Sequence, residues 1–176
     1  MKKVHYTWKD IEHMIQTINN LMYADNWRPD YIVGLTRGGL VPAVIMSNMT
    51  GITMHALDVR FRDMGRSYSG PERNEKMKED ARQGKKILIV DDINDSGKTL
   101  SWVKDDWGIT PPVSPVDNVS YIVPNIINDN VRTACLIDNG ACGFGDCDYT
   151  ALEINKDENP EWIVFPWEGE RHYGNA

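Results

Sequence analysis

Two adjacent carboxylates, Asp91 and Asp92, stand where an apolar run ends, and a short polar turn follows them at once in "KILIVDDINDSGKTL", Lys86 to Leu100. Acids at the tip of a buried strand are costly unless they hold something. Sugar hydroxyls or a hydrated magnesium ion are what such a pair holds well. The turn then supplies Asp95, Ser96, Gly97, Lys98 and Thr99. Its hydroxyls and backbone amides, placed at a helix start, suit a phosphate. Two other readings of these residues fail on spacing. A triphosphate loop ending in Gly-Lys-Thr needs a glycine five residues before Gly97, where the chain has Asp92, a carboxylate that would repel phosphates. A calcium loop starting at Asp92 fits Asn94, Ser96 and Gly97, but its twelfth position is Val103 instead of a bidentate glutamate, and its flank is a strand. What remains is a strand that brings Asp91 and Asp92 to its carboxyl end, the edge at which such sheets bind ligands. The ligand is then a sugar phosphate and not a nucleoside triphosphate.

The elements that must position these residues read as an alternation of strands and helices. "TWKDIEHMIQTINNLMY" is an amphipathic helix with Ile11, Met14, Ile15, Ile18, Leu21 and Met22 on one face, and Thr7 with Asp10 forms its N-terminal cap. Tyr31–Leu35 is a short apolar strand running into a glycine-bearing loop, "LVPAVIMSNMTG" a helix closed by Gly51, and "ITMHALDVRF" the next strand. From Arg62 to Lys85 the pattern stops, and so long a polar stretch is expected to be a mobile functional loop with a short helix near 72–82. The charge run in that helix reads as a solvated face. "KKILIV" is continuous and apolar, the mark of a strand covered on both faces. "SGKTLSWVKDDWG" is the following helix, and "VSYIVPNII" and "VRTACLID" are further strands. The expected class is α/β: a mostly parallel central sheet flanked by helices. Residues 1–137 form the core, and 138–176, rich in Gly, Asp and aromatics, form a small appended cap and not more sheet.

Composition bounds the function. The chain has 176 residues and a net charge of -7, which disfavours coating nucleic acid. No apolar run approaches a membrane span and no apolar signal core follows the first lysines, so a cytoplasmic protein is expected. Cys135, Cys142 and Cys147 are few and odd in number, as reduced thiols would be. Cys142 and Cys147 flank "GFGD", with no second Cys or His pair in the sequence to complete a zinc site. The four histidines are scattered, and His13 falls on the exposed side of its helix.

"ILIVDDINDSGKTL" closely resembles the phosphoribosyl-pyrophosphate (PRPP) binding motif of the type I phosphoribosyltransferases. "VGLTRGGLVPA", Val33 to Ala43, resembles the pyrophosphate loop of the same family, which reads "SRGGLVPA" in the purine enzymes of the xanthine-guanine type. "EWIVFPWE", Glu161 to Glu168, resembles their C-terminal hood. The resemblance implies the Rossmann-like fold of that family with a small hood, and transfer of a phosphoribosyl group from PRPP to a free purine base with Mg2+ as cofactor. It implies that Asp91 and Asp92 face the ribose and the metal, and that Ser96, Gly97, Lys98 and Thr99 cradle the 5′-phosphate. Thr36, Arg37, Gly38 and Gly39 would hold pyrophosphate, with a cis peptide at Thr36–Arg37 and glycines that let the backbone approach the anion. Trp162 would stack on the base while the Ile163 backbone reads its edge, and Trp167 closes the core. Asp95 matches the family position that lies near the base and takes its proton; capping the following helix is an equal rival role. Arg37 and Asp95 are the expected catalytic pair. Ser67 and Tyr68 resemble a Ser-Tyr of the family's lid, here residues 62–85, which would close over the reaction. The family implies a homodimer or homotetramer.

One position departs from the pattern. Purine enzymes of this family carry a lysine at the end of the strand before the hood, and here that place is taken by Asp138, while the next lysine is Lys156. An acid there would favour an exocyclic amine over a 6-oxo group. A transferase with a non-purine acceptor, and a regulator that senses PRPP or nucleotides without turnover, are the alternatives this leaves.

Overall fold

The computed structural model describes residues 2–62, 65–69, 71–108, 130–143, 145 and 147–168. Its centre is a six-stranded sheet in the order β4-β3-β2-β5-β6-β7. The strands are β2 (Tyr31–Leu35), β3 (Met54–Arg62), β4 (Gly65–Ser69), β5 (Ile87–Asn94), β6 (Val131–Asn139) and β7 (Tyr149–Ile154). All neighbours pair in parallel except β3 and β4, which form an antiparallel hairpin. Helix α1 (Trp8–Ala24) precedes β2, α2 (Leu40–Thr50) joins β2 to β3, α3 (Pro71–Arg82) lies between β4 and β5, and α4 (Lys98–Trp107) follows β5. A parallel sheet needs both faces covered, and alternate residues of its strands divide between two cores. Ile32, Leu88, Val90 and Ala134 pack with α1 and α2. Val33, Leu35, Ile87 and Ile89 pack with α3 and α4. A separate two-stranded parallel sheet joins β1 (Lys2–His5) to β8 (Glu161–Val164).

Local signals explain the helix boundaries. Thr7 and Asp10 form a full capping box, with Thr7 N donating to Asp10 Oδ2 at 2.7 Å and Asp10 N donating to Thr7 Oγ1 at 3.3 Å. Ile11, Ile15, Ile18 and Met22 face the core as their spacing requires, whereas Leu21 is exposed. Leu21 lies one position off the i, i+4 row that meets the sheet. Gly51 closes α2 in the left-handed conformation.

Three expectations need correction. The polar stretch 62–85 is not an irregular loop: its backbone forms β4 against β3 and then the whole of α3. Its charges misled because α3 docks through polar groups as well as through Met77 and Ala81. Asn74 Oδ1 accepts from the buried Trp107 indole at 2.9 Å, and Lys78 pairs with Asp106 at 2.8 Å while itself almost fully buried. The face is therefore not simply solvated. The tail after Asp138 is not free of sheet, because β7 extends the parallel sheet beside β6. Tyr149 drives that pairing, since its ring packs on Trp27 at 6.0 Å. The strand expected at "VSYIVPNII" falls outside the described residues.

Candidate active site

The carboxyl ends of β2 and β5 lie side by side in parallel register, with Gly34 opposite Val90. The loop after β2 and the acid pair after Val90 therefore meet at one edge. A Cβ on Gly38 would stand 1.9 Å from Asp92 Oδ2, and one on Gly39 would stand 2.3 Å from the Val90 carbonyl oxygen. Both glycines are needed because this loop touches the acid pair itself, a reason additional to approach by an anion. Thr36 anchors the loop from the other side: its hydroxyl donates to Asp58 Oδ1 at 2.7 Å and accepts from Val59 N at 3.2 Å. The Thr36–Arg37 peptide is cis, and Arg37 is exposed at the rim.

Asp91 and Asp92 are half-buried where β5 ends. Loss of hydration, reinforced by the charge of Asp92, holds the Asp91 carboxyl well above the usual carboxylate range. Loss of hydration also pushes Asp92 up to about 6; the Ile93 amide opposes the shift and the charge of Glu168 adds to it. The Ile93 amide donates to Asp92 Oδ1 at 2.9 Å. A like-charged oxygen pair kept short of water is a donor set suited to a hard divalent cation, which would relieve both penalties. On this test the residues fit Mg2+.

The turn beyond completes the edge. Gly97 is the N-cap of α4 with φ of 74°, a conformation that favours glycine, and no side chain caps the helix. The first-turn amides, with Ser96 and Thr99 beside them, are thus left for an anion. Asp95 is not the cap. It forms an ion pair with Lys156 Nζ at 2.7 Å, and its backbone carbonyl accepts from Asn139 Nδ2 at 2.9 Å. The same Asn139 accepts from Lys156 N at 3.0 Å, which fixes the turn carrying Lys156 above Asp95. Lys156 was not among the expected site residues. Its only sequence signal is that it follows an apolar strand, and its partner lies 61 positions earlier by residue number.

Asp138 does not face the site. Its Oδ1 accepts from Asn94 Nδ2 at 2.9 Å and its Oδ2 from Cys147 N at 2.8 Å, and the residue is 2% exposed. It therefore does not read a base, and the sequence argument against a 6-oxo acceptor loses its basis. Trp162 is 55% exposed on β8, while the Ile163 side chain is buried in the core. Trp167 stacks on Phe165 with ring centres 4.6 Å apart, closing the core as expected. Ser67 and Tyr68 lie on β4, and their side chains are outside the described set. His13 is exposed.

Residues 3–107 match the family model for the phosphoribosyl transferase domain. Over 86 residues the chain is 43% identical to the xanthine-guanine phosphoribosyltransferase of Cereibacter sphaeroides, a match that covers 44% of this chain and 46% of that one, so it spans about half the length of this relative. Xanthine phosphoribosyltransferase 1 of Saccharomyces cerevisiae is 22% identical, with 96% of this chain and 91% of that one covered. Among solved structures, a purine phosphoribosyltransferase from Pyrococcus horikoshii superposes with a TM-score of 0.63 at 25% identity, covering 95% of both chains. With the family model matched over more than half of its length, and with the Thr36–Gly39 loop, acid pair and uncapped helix on one sheet edge, this chain belongs to the phosphoribosyl transferase domain family.

Proposed function

We propose that the chain transfers the 5-phosphoribosyl group from PRPP to a free purine base, most readily a 6-oxopurine such as xanthine, guanine or hypoxanthine, releasing pyrophosphate and a nucleoside monophosphate in nucleotide salvage. The observation that carries this reading is the direct packing of the Thr36–Gly39 loop on Asp92 beside an uncapped helix start. That arrangement offers adjacent places for pyrophosphate, ribose and 5′-phosphate. The relatives' names point the same way: they are described as xanthine-guanine, xanthine and purine enzymes. We place the enzyme in the cytoplasm, as a homodimer or homotetramer.

In this mechanism the amides of Gly97, Lys98 and Thr99, with the Ser96 and Thr99 hydroxyls, fix the 5′-phosphate. Asp91 and Asp92 orient the ribose hydroxyls and would hold Mg2+, which would supply charge neutralisation for the leaving pyrophosphate. Arg37 and the loop amides take up the negative charge that develops as the C1′–O bond breaks. The base nitrogen attacks C1′ from the opposite side while Trp162 stacks on the ring. Asp95 receives the proton released by the base. Lys156, already paired with Asp95, is the cation available to a 6-oxo oxygen on this side, the role that the usual lysine position has given up here. Of the stretch 62–85, the β4 strand would close over the site and exclude water, while α3 stays packed on the sheet through Met77 and Ala81.

The test is pyrophosphate release from PRPP and Mg2+ with guanine, xanthine, hypoxanthine, adenine, uracil and orotate supplied singly. Release with a 6-oxopurine, abolished by Arg37→Ala, is the expected result. PRPP binding without turnover on any base would replace this reading with that of a sensor of PRPP.

A further inference from the structure

Apart from the PRPP edge, the chain gathers two of its cysteines around one buried carboxylate, with the third on the turn beside them. Cys135 lies in β6 and Cys147 precedes β7; their sulfurs are 3.1 Å apart, and both residues are buried free thiols. Asp138, three residues after Cys135, joins them: one oxygen of its carboxylate and the two sulfurs all lie within 4.8 Å of one another. Cys142, half-buried on the intervening turn, lies outside that group and is linked to it through Asn94. Asn94 Nδ2 donates both to Asp138 Oδ1 at 2.9 Å and to Cys142 Sγ at 3.2 Å. The sequence offered only the Cys142–Cys147 pair; parallel pairing of β6 with β7 supplies the rest.

We propose that Cys135, Asp138, Cys142 and Cys147 form a structural zinc site. Zinc takes four ligands, with Zn–S of about 2.3 Å and Zn–O of about 2.0 Å, so neighbouring ligand atoms lie roughly 3.5–3.8 Å apart. The two sulfurs, at 3.1 Å, stand slightly closer than that and Asp138 lies within 4.8 Å of both, so three ligands are in place and Cys142, on its half-buried turn, must swing in as the fourth. The polar environment favours a cation over an empty pair of thiols. Asp138 is buried, yet among the described residues its hydrogen-bond partners are the neutral Asn94 amide and Cys147 N–H. A buried carboxylate is ordinarily paired with a cation or bound to a metal. Each of its oxygens keeps a further lone pair for the metal, and the two donors act as the outer contacts that orient a ligand. A disulfide between Cys135 and Cys147 would use two of the four groups and leave Asp138 without a charge partner. Half-buried Cys142 provides the entry side. Binding is a plain exchange: each thiol that becomes a ligand gives up its proton as zinc arrives.

The site would fasten the turn that starts at Asn139, whose amide contacts Asp95 and Lys156. It would therefore set the base side of the active site without touching substrate. It also accounts for Asp138 at a position where the family resemblance expects a lysine.

The experiment is zinc determination by plasma mass spectrometry on the full chain, purified under reducing conditions from zinc-supplemented medium. It is followed by chelation and titration with Co2+ alone. One zinc per chain and a thiolate-to-cobalt absorption band in the near ultraviolet are expected. Cys147→Ser should bind zinc roughly tenfold to a hundredfold more weakly. If that variant does not fold, Cys142→Ser, on the more open side, should fold and show a weakened cobalt band. Protein free of zinc that gives no thiolate band with Co2+ overturns the proposal. So does an intact mass two hydrogens lower, with Cys135 joined to Cys147. Neither result depends on phosphoribosyl transfer, so failure here and failure of the transferase assay are separate outcomes.

Discussion

The two sides of the candidate active site are built in different ways. The side we assign to PRPP is written in two unbroken stretches, Thr36–Gly39 and Asp91–Thr99, brought together by one parallel strand pair. The side we assign to the base is assembled from single residues scattered between Asn94 and Glu168. Asp95 meets Lys156, Asn139 ties both, and Asp92 feels Glu168. Backbone groups and glycines dominate the first side, side-chain pairs the second. A ligand common to a whole family can be held by backbone geometry. An acceptor that differs from enzyme to enzyme has to be read by side chains on exchangeable turns.

This contrast predicts that small changes on the PRPP side are the most damaging. Gly38→Ala puts a methyl group where Asp92 Oδ2 now lies, 1.9 Å from the new Cβ, so the acid must leave its position. Turnover should fall by about a thousandfold with every base, a loss of the size seen when one preorganised group is removed from a transition state. The fold should lose about 1–3 kcal/mol. Steady-state pyrophosphate release and thermal melting measure the two effects. A near-normal rate would mean that the loop and the acid pair do not act together.

On the base side the losses should be smaller and selective. Asp95→Asn is expected to lower kcat about a hundredfold, within the range for a positioned proton acceptor, with little change in KM for PRPP. Lys156→Met should raise KM for 6-oxopurines about tenfold and leave PRPP binding as it was, the loss of one charged hydrogen bond. If Lys156→Met instead weakened PRPP binding, the division between the two sides would fail. Trp162→Ala should raise KM for the base by a factor matching about 1–2 kcal/mol, and Trp162→Phe should restore most of it. Parallel KM measurements for base and PRPP decide each case.

What could be read from the sequence follows the same division. Strand β5, its acids and the turn into α4 were legible because they are contiguous and the apolar run of β5 is that of a strand covered on both faces. Helix α1 was legible from its capping box and apolar row. The rest depended on contacts between distant residues. Nothing local in "LEINKDE" shows that Lys156 will reach Asp95, and nothing in "LIDNG" shows that Asp138 will turn inward to Asn94 and Cys147. Helix α3 looked solvated because its buried positions include Asn74, Lys78 and Asp80, whose partners lie on other elements or at the helix end. Strand β7 escaped notice because its alternation is weak: only Tyr149 is fully buried, while Ala151, Leu152 and Ile154 are partly buried against the core.

The smallest predicted effect concerns stability, and here the acid pair should act against the fold. Burial holds the Asp92 carboxyl at about 6 in the folded protein, above the ordinary value of 3.8 that the unfolded chain would show. Between these values the folded state binds the proton more tightly, so stability falls as pH rises from 4 to 6 and stays lower above 6. Asp92→Asn, which removes the charge and keeps the shape, should therefore raise stability at pH 7 by about 1–2 kcal/mol. Most of the gain should be lost by pH 4, where Asp92 is protonated in the folded state and partly so in the unfolded chain. Denaturant unfolding at the two pH values measures it, and Mg2+ should stabilise the native protein more than the variant. A variant less stable than the native protein at pH 7 would show that the acid pair contributes to the fold, and the site would then carry no conflict between stability and binding.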